Sequence, residues 1–469
     1  MKKETGSSLN PGLKLNYRRT FLIGFAFFGI LLLWQVYDSW CPTFLTDIFA
    51  RRMFNLSSAE LKAGDPAKIL EVQWIVGIIM ACDNLAALIL LPIFGSLSDR
   101  TKTPIGKRMP YILVGTLVVA IAFPFIPLFF HYNNILGMVI MMAIVLMFMM
   151  MYRNPAVALM PDITPKPLRS KGNAIINLMG ALGGVIYLGV AAVMYPNSKV
   201  AGLAHVNYQP LFIVVASIMF VAVAILFLTI KEPKLIEEQR KLEAEHPEWN
   251  LARDDGSGHE TLPKNVKKSL SFLLASIALW FIGYNAVETW FTTYVSQVMG
   301  QALGGASTCL LIATGGAVIS YIPIGVLASK FGRKRTIMAG IILLAFCFGL
   351  GYFLTTTYSS INVIMFIVFA LVGLAWAAIN VNSLPMVVEM CKGSDIGKFT
   401  GYYYTFSMAA QVVTPVVAGY LMRNVSYTVL FPYAAAFVAL SFVTMIFVKH
   451  GDNKPEAKKG LDAFEDMDD

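Results

Sequence analysis

The chain has too few charged residues to cover the surface of a soluble globule of its size. Only 14% of its 469 residues are Asp, Glu, Lys or Arg, whereas 57% are hydrophobic. This composition is typical of proteins that lie in lipid. The sequence also lacks a nucleophile paired with a base, a phosphate-binding loop and a set of metal ligands. We therefore expect neither an enzyme nor a bound cofactor or metal.

Cysteine and histidine are scarce, with five of each. The cysteines have no paired or metal-type spacing, and we interpret them as helix-packing residues: Cys41, Cys82, Cys309, Cys347 and Cys391. No histidine falls in the middle of an apolar segment. Proton transfer inside a membrane would therefore depend on carboxylates.

Apolar segments long enough to cross a bilayer recur along the whole chain. Including the weaker segments, which are interrupted by Gly, Pro or a single charge, the predicted spans are 20–42, 73–97, 109–130, 135–161, 172–194, 208–230, 270–297, 304–328, 336–356, 360–388, 400–421 and 426–448. We predict an all-α integral membrane protein with twelve transmembrane helices in two pseudo-symmetric six-helix bundles.

The distribution of Lys and Arg predicts the orientation, because basic loops resist crossing the membrane. With the N-terminus inside, about 30 of the 37 basic residues fall in cytoplasmic segments. An even number of spans places both termini in the cytoplasm, in an inner or plasma membrane. The net charge of +9 then indicates topology and contact with the lipid bilayer, and nucleic acid is not an expected partner. No cleavable signal peptide is evident, so we expect the first helix to be retained.

A charged stretch divides the spans six and six. The predicted segments are a cytoplasmic N-terminal segment (1–19), a first bundle (20–230), a cytoplasmic linker (231–269), a second bundle (270–448) and a cytoplasmic tail (449–469). We favour a solvated spacer for the linker. Its run of Glu, Lys and Arg also allows a short helix with charge pairs four residues apart.

The two halves repeat each other. A basic loop follows the second span of each half, at 95–108 and at 325–335. A proline followed by an acidic residue recurs at the fourth span of each half, at 155–162 and at 385–389. The two copies align to within two residues. Such repeats are expected of a transporter whose binding site lies between its halves.

The loop from Gly95 to Tyr111 resembles the signature loop between helices two and three of the major facilitator superfamily. Its Pro after the basic pair is similar to the loop of the glycoside-pentoside-hexuronide:cation symporters, especially their sucrose:proton symporter branch. The segment from Tyr152 to Ala174, which includes Arg153 and Asp162, resembles helix four of that branch and the small-residue helix after it. The resemblance covers most of the chain.

The resemblance implies uptake of a sugar, such as a di- or oligosaccharide, together with protons by alternating access. Sodium is less expected, because Leu91 stands where the melibiose-type members carry an acid. The second loop also departs from the pattern, with Ser329 in the place of Asp99. We expect a monomer. Two alternatives remain open: a proton-coupled antiporter that exports small hydrophobic compounds, and a transport-like sugar sensor.

Four ionisable residues lie inside predicted spans, where lipid disfavours charge. Asp83, Arg153 and Glu288 are near the centres of their spans, and Asp38 is nearer the outer end of the first span. A low-dielectric setting favours the neutral form of a carboxylate, which allows it to take up a proton, and Arg153 would be its switchable partner. We interpret all four as proton-coupling residues. The alternative is a static ion pair between helices.

Sugars bind to flat aromatic faces and to amide or carboxylate groups. Several spans place both kinds of residue on one helical face, and we interpret them as a substrate site: Trp34, Tyr37, Asn84, Asn173, Asn177, Tyr284, Asn285, Trp376, Asn380 and Gln411. The alternative is that the aromatic residues form an interfacial belt and that neighbouring glycines serve close helix contact.

The resemblance further implies a cytoplasmic gate around the first basic loop. Its predicted residues are Asp99, Arg100, Arg108, Asp162, Arg169 and Glu389. We expect Arg108 to pair with Asp162 when the cavity opens outward, and the breaking of such pairs to let the halves rock inward. The spacing alone indicates only a charged turn.

Overall fold

The computed structural model of the chain describes residues 15–55, 66–165, 168–200, 203, 206–246, 263–390 and 396–452. Within these ranges the secondary structure is entirely helical. Twelve helices are long and apolar enough to cross a membrane, which confirms the predicted fold class. The main helices of these twelve spans are α1 Tyr17–Phe54, α2 Gln73–Arg100, α3 Met109–Ala122, α4 Ile135–Asp162, α5 Arg169–Met194, α6 Gln209–Thr229, α7 Lys264–Val298, α8 Leu303–Phe331, α9 Arg333–Thr357, α10 Val363–Val388, α11 Ile396–Asn424 and α12 Leu430–Ile446.

Shorter helices connect or extend these twelve. Phe125–His131 continues α3, and a 3₁₀ turn at Tyr427–Val429 precedes α12. Pro66–Glu71, Asn197–Val200 and Glu232–Glu245 lie between long helices. We call Glu232–Glu245 the linker helix, and we call the side of the bundle on which α1 begins the basic side.

Asparagine side chains fix the start of three long helices. The Oδ1 atoms of Asn16, Asn134 and Asn362 accept hydrogen bonds from the backbone N–H three residues later, at 3.0, 3.0 and 3.1 Å. Each bond satisfies a helix N–H group that has no partner within the helix. In an apolar surrounding, such caps define where α1, α4 and α10 begin.

The first helix is longer than the sequence predicted. We expected it to end at residue 42 and a loop to follow, but α1 continues through Pro42 to Phe54. Its last turns are polar yet ordered, because Arg51 is buried with its guanidinium 5.0 Å from the centre of the Phe130 ring. Hydropathy alone assigns such a polar helix end to a loop.

The linker helix has two different faces. Lys241 Nζ lies 2.7 Å from Glu237 Oε1 on the exposed face, and this hydrogen bond holds the pKa of Glu237 below its ordinary value. Glu232, at the start of the helix, is fully buried. This part of the linker thus forms the short helix with charge pairs four residues apart that the sequence allowed, exposed along most of its length. Residues 247–262 lie outside the described ranges.

In the part of the chain that the structure describes, three pairs of long helices make most of the contacts between the first six helices and the last six: α1 with α7, α2 with α11, and α5 with α8. The repeat makes α1, α2 and α5 equivalent to α7, α8 and α11. Under this equivalence the α2–α11 contact becomes the α8–α5 contact, and the α1–α7 contact becomes itself. A two-fold axis between the halves has this effect. The contacts therefore reproduce the repeat seen in the sequence.

The cysteines fit the packing interpretation in part. Cys41, Cys309 and Cys347 are buried and free, as helix-packing residues would be. Cys82 is exposed on α2, and Cys391 lies outside the described residues.

Candidate transport site

Four charged residues from both halves meet inside the bundle. Asp38 on α1 is close enough to interact electrostatically with Asp83 on α2, Arg153 on α4 and Glu288 on α7. Asp83 is buried, and the other three are partly buried. We call this group the charge cluster. It brings together all four residues that the sequence predicted for proton coupling.

Helix α1 supplies the hydrogen bonds that hold two of these carboxylates. The hydroxyl of Tyr37 donates to Asp83 Oδ2 at 2.7 Å, and the side chain of Gln35 donates to Glu288. Residues 35, 37 and 38 point in different directions on one helix, because successive side chains are about 100° apart. One turn of α1 therefore contacts α2 in the first half and α7 in the second.

Arg153 faces an aromatic ring. Its guanidinium lies 5.8 Å from the centre of the Trp34 ring, which stacks on Tyr37 with centroids 6.0 Å apart. Within the described ranges, no carboxylate oxygen lies within ion-pair distance of Arg153. The alternative of a static ion pair is therefore not observed, and the cation stays available to a group that enters the cluster.

A small cavity adjoins the charge cluster. Its volume is about 30 Å³, and its polar lining includes Gln35, Asp38, Tyr284 and Glu288. This space holds about one or two water molecules. A ligand larger than a few water molecules can enter only if the helices around this cavity separate.

The aromatic residues of the second half form a compact group. The rings of Tyr284 and Trp376 stack with centroids 3.6 Å apart and planes 7° apart, and Phe281 meets Trp376 edge-on at 5.3 Å. We predicted that Trp376 binds substrate, and Tyr284 covers one face of its ring. Phe281 was not among the predicted substrate residues, although its position three residues before Tyr284 places it on the same face of α7.

Two predicted amides are buried with a polar atom that has no hydrogen-bond partner among the described residues. These atoms are Asn285 Nδ2, on the residue after Tyr284, and Asn380 Oδ1, one turn after Trp376. A buried donor or acceptor without a partner is costly, so these atoms are candidates for contact with water or substrate.

The other predicted amides have different positions. Asn84 Nδ2 donates to the backbone carbonyl of Gln411 at 3.2 Å, which joins α2 to α11. Asn173 is partly buried and Asn177 is buried on α5, and neither lines the small cavity. The structure thus brings part of the predicted substrate set to the charge cluster.

The predicted gate residues form ion pairs within one half. Arg108 Nε lies 2.9 Å from Asp162 Oδ2, and the same guanidinium also pairs with Asp99. These contacts join α2, α3 and α4. The predicted pair of Arg108 with Asp162 is therefore present, and it lies within the first half. Its role as a gate stays a prediction.

Of the remaining gate residues, one repeats this arrangement. Glu389 Oε1 lies 2.9 Å from Arg333 Nε within the second half, at the position that repeats the Arg108–Asp162 pair. Arg169 lies 3.6 Å from Glu243 of the linker helix, and Arg100 is exposed.

Glu232 is a buried residue of the basic side that was not among the predicted gate residues. Its carboxylate accepts the backbone N–H groups of Lys107, Arg108 and Met109 at 2.8, 2.9 and 2.9 Å, at the start of α3. Asp452 Oδ1 accepts the N–H of Lys334 at 2.8 Å, at the start of α9. The acid after the sixth helix of each half therefore caps the third helix of that half.

On the side opposite the basic side, hydrogen bonds cross between the halves. Thr43 and Thr293 hydroxyls are 2.9 Å apart, and Gln297 Nε2 donates to Asp47 Oδ1 at 3.2 Å. Gln73 also donates to the Tyr427 hydroxyl. These contacts close the opposite side, and no local sequence pattern indicates them.

Comparisons with known proteins give one family. A sequence profile described as "Major Facilitator Superfamily" matches residues 43–321 and 301–465. No curated protein sequence matches the chain. The sugar-symporter branch receives no support from these matches and stays a prediction.

Solved structures with a similar fold include three transporters. The xylose transporter XylE from E. coli, inward open, has a TM-score of 0.63 and 15% identity over 92% of this chain and 96% of its own. The nucleoside transporter NupG has a TM-score of 0.61 and 13% identity over 92% of this chain and 100% of its own. An inward-facing bacterial homologue of the iron transporter ferroportin has a TM-score of 0.63 and 12% identity over 92% of this chain and 99% of its own. Together with the profile match across both halves, the twelve-helix fold shows that the chain belongs to the Major Facilitator Superfamily.

Proposed function

We propose that the protein is a proton-coupled symporter that takes up a sugar, such as a di- or oligosaccharide, across the cell membrane by alternating access. One observation carries this proposal. Three carboxylates and one guanidinium, contributed by both halves, meet inside a membrane bundle around Asp38. A permanent structural role would be expected to pair these charges, whereas Arg153 contacts a ring.

Proton binding changes the charge of this cluster. With its three carboxylates ionised, the cluster carries a net charge of −2, and like charges at close range in a low-dielectric interior repel one another. Protonation of two carboxylates balances the charge of Arg153. Because Asp38 and Glu288 belong to opposite halves, protonation lowers the repulsion between the halves and favours their approach.

The surroundings of the cluster suit a sugar. Trp34 and Tyr284 are partly exposed aromatic residues beside carboxylates, and the Asn285 and Asn380 amides have unsatisfied polar atoms. Pyranose rings present apolar C–H faces to aromatic rings and hydroxyls to amides. In the described conformation the opposite side is closed, so the substrate would leave towards the basic side.

Counterflow in proteoliposomes tests the proposal. The full-length protein is reconstituted and offered a panel of labelled mono- and disaccharides, with and without an imposed pH gradient. We expect exchange of at least one sugar and its accumulation under the pH gradient. A sodium gradient serves as the control for the coupling ion.

Asp83→Asn should abolish accumulation driven by the pH gradient and leave exchange partly intact, because the variant cannot release a proton. Glu237→Gln, on the exposed face of the linker helix, is the matched control and should accumulate sugar like the unaltered protein. Equal accumulation by Asp83→Asn would remove Asp83 from the coupling mechanism. Exchange of no sugar in the panel would overturn the substrate assignment.

A further inference from the structure

A basic pocket lies on the outer surface of the bundle at the basic side, away from the charge cluster. It has a volume of about 430 Å³ and is formed by the start of α1, the end of α6 and the start of the linker helix. Its lining includes four basic side chains, Arg18, Arg19, Lys231 and Lys234, and a single acidic side chain, Glu238.

Most of this positive charge is unbalanced. Lys234 Nζ lies 3.9 Å from Glu238, but Arg18, Arg19 and Lys231 form no ion pair with any residue that the structure describes. Lys231 instead lies over the ring of Phe227 at 5.5 Å. The pocket therefore has about three positive charges that no described residue balances.

The position of the pocket at the ends of two spanning helices suits a lipid headgroup. It lies where two membrane-spanning helices reach the basic side. Just inside the membrane from it, Phe21 on α1 and Leu228 on α6 are exposed, at 36% and 69%. Basic side chains at a helix end, with exposed apolar residues next to them, fit a phosphate headgroup and its acyl chains.

We propose that this pocket binds the headgroup of an anionic phospholipid of the inner leaflet. Arg18, Arg19 and Lys231 contact the phosphate, and the acyl chains run along the exposed faces of α1 and α6. The bound lipid joins α1 to the linker helix. This inference does not depend on the identity of the transported substrate.

Lipid titration followed by native mass spectrometry tests the proposal on the full-length protein in detergent. Phosphatidylglycerol should bind at least tenfold more tightly than phosphatidylcholine. The triple variant Arg18→Gln, Arg19→Gln, Lys231→Gln should weaken phosphatidylglycerol binding about 100-fold, because each basic residue near anionic headgroups contributes about fivefold in affinity. Inorganic phosphate in millimolar excess should not displace the lipid.

The matched control removes the same charge from the same side. Lys264, Lys267 and Lys268, at the start of α7, are exposed and do not line the pocket. Changing all three to Gln should alter phosphatidylglycerol binding less than threefold. An Arg18→Lys variant keeps the charge and should retain binding, which separates loss of the site from misfolding.

Three results would overturn the proposal. Equal weakening by both triple variants would indicate non-specific attraction, and equal affinity for the two lipids would exclude recognition of charge. Displacement by inorganic phosphate would make the pocket a site for the free ion.

Discussion

At the scale of the residue, one turn of α1 carries most of the candidate site. Trp34 contacts the guanidinium of Arg153, and Gln35 donates to Glu288 of the second half. Tyr37 donates to Asp83 of the first half. Asp38 interacts electrostatically with all three of these charged groups. A side chain in this turn can therefore transmit a change of charge in one half to the other half. Trp34 is the member of this turn that combines an aromatic face with partial exposure.

Replacing Trp34 should weaken substrate binding. Trp34→Leu removes both the aromatic face and the contact with Arg153, and we expect the KM for sugar uptake to rise about tenfold, which corresponds to about 1.4 kcal/mol. Trp34→Tyr retains a ring and should stay within about threefold of the unaltered protein. The concentration dependence of uptake in proteoliposomes measures both values. An unchanged KM for Trp34→Leu would place the substrate elsewhere.

At the scale of the element, the start of α3 and the start of α9 are capped by acids that follow the last helix of each half. Glu232 accepts three backbone N–H groups, and Asp452 accepts one. The third helix of each half is thus tied to the chain that leaves that half. The two caps differ in strength because they differ in the number of donors.

Removing these caps should destabilise the protein unequally. Glu232→Ala leaves three N–H groups at a buried helix start without an acceptor, and we expect a loss of about 3 kcal/mol. Asp452→Ala removes one bond at an exposed position, and we expect a loss of about 1 kcal/mol. Thermal unfolding in detergent should therefore show a clearly larger decrease in Tm for Glu232→Ala. A larger decrease for Asp452→Ala would contradict the assigned caps.

The sequence predicts elements well where a local pattern decides them. Long apolar runs must be helical, because lipid offers no partner for backbone polar groups, and the twelve helices follow from this constraint. Contacts between distant residues leave no such pattern. Glu232 lies 124 residues from Arg108, and Gln73 lies 354 residues from Tyr427. For the same reason the sequence identified the charged residues of the cluster but did not indicate that Tyr37 holds Asp83.

At the scale of the whole molecule, close backbone contacts help to close the opposite side. The position where a Cβ on Gly77 of α2 would lie is already occupied by the carbonyl of Pro415 of α11. Gly419 of α11 approaches the carbonyl of Gln73 in the same way. Residues without side chains therefore allow α2 and α11 to meet.

A larger residue at this contact should open the opposite side. In Gly77→Val, the added atoms meet the Pro415 carbonyl, and the halves must separate there. Leu136 and Val363 are exposed at the starts of α4 and α10, on the opposite side. Spin labels at these two positions report the distance between the halves by pulsed electron paramagnetic resonance. We expect a longer distance to become the main population.

Gly189→Val on α5 is the matched control, because a Cβ at this position meets no atom within 4 Å. It should leave the distance distribution unchanged. An unchanged distribution in Gly77→Val would show that the α2–α11 contact does not limit opening.

The central claim is that sugar and protons move together through the charge cluster. Proton movement on addition of sugar tests it most directly, in weakly buffered proteoliposomes with an external pH probe and no imposed gradient. We predict that a transported sugar raises the external pH with the unaltered protein and with Glu237→Gln, and leaves it unchanged with Asp83→Asn. Sugar entry without any change in external pH, or an equal change with Asp83→Asn, would contradict the account.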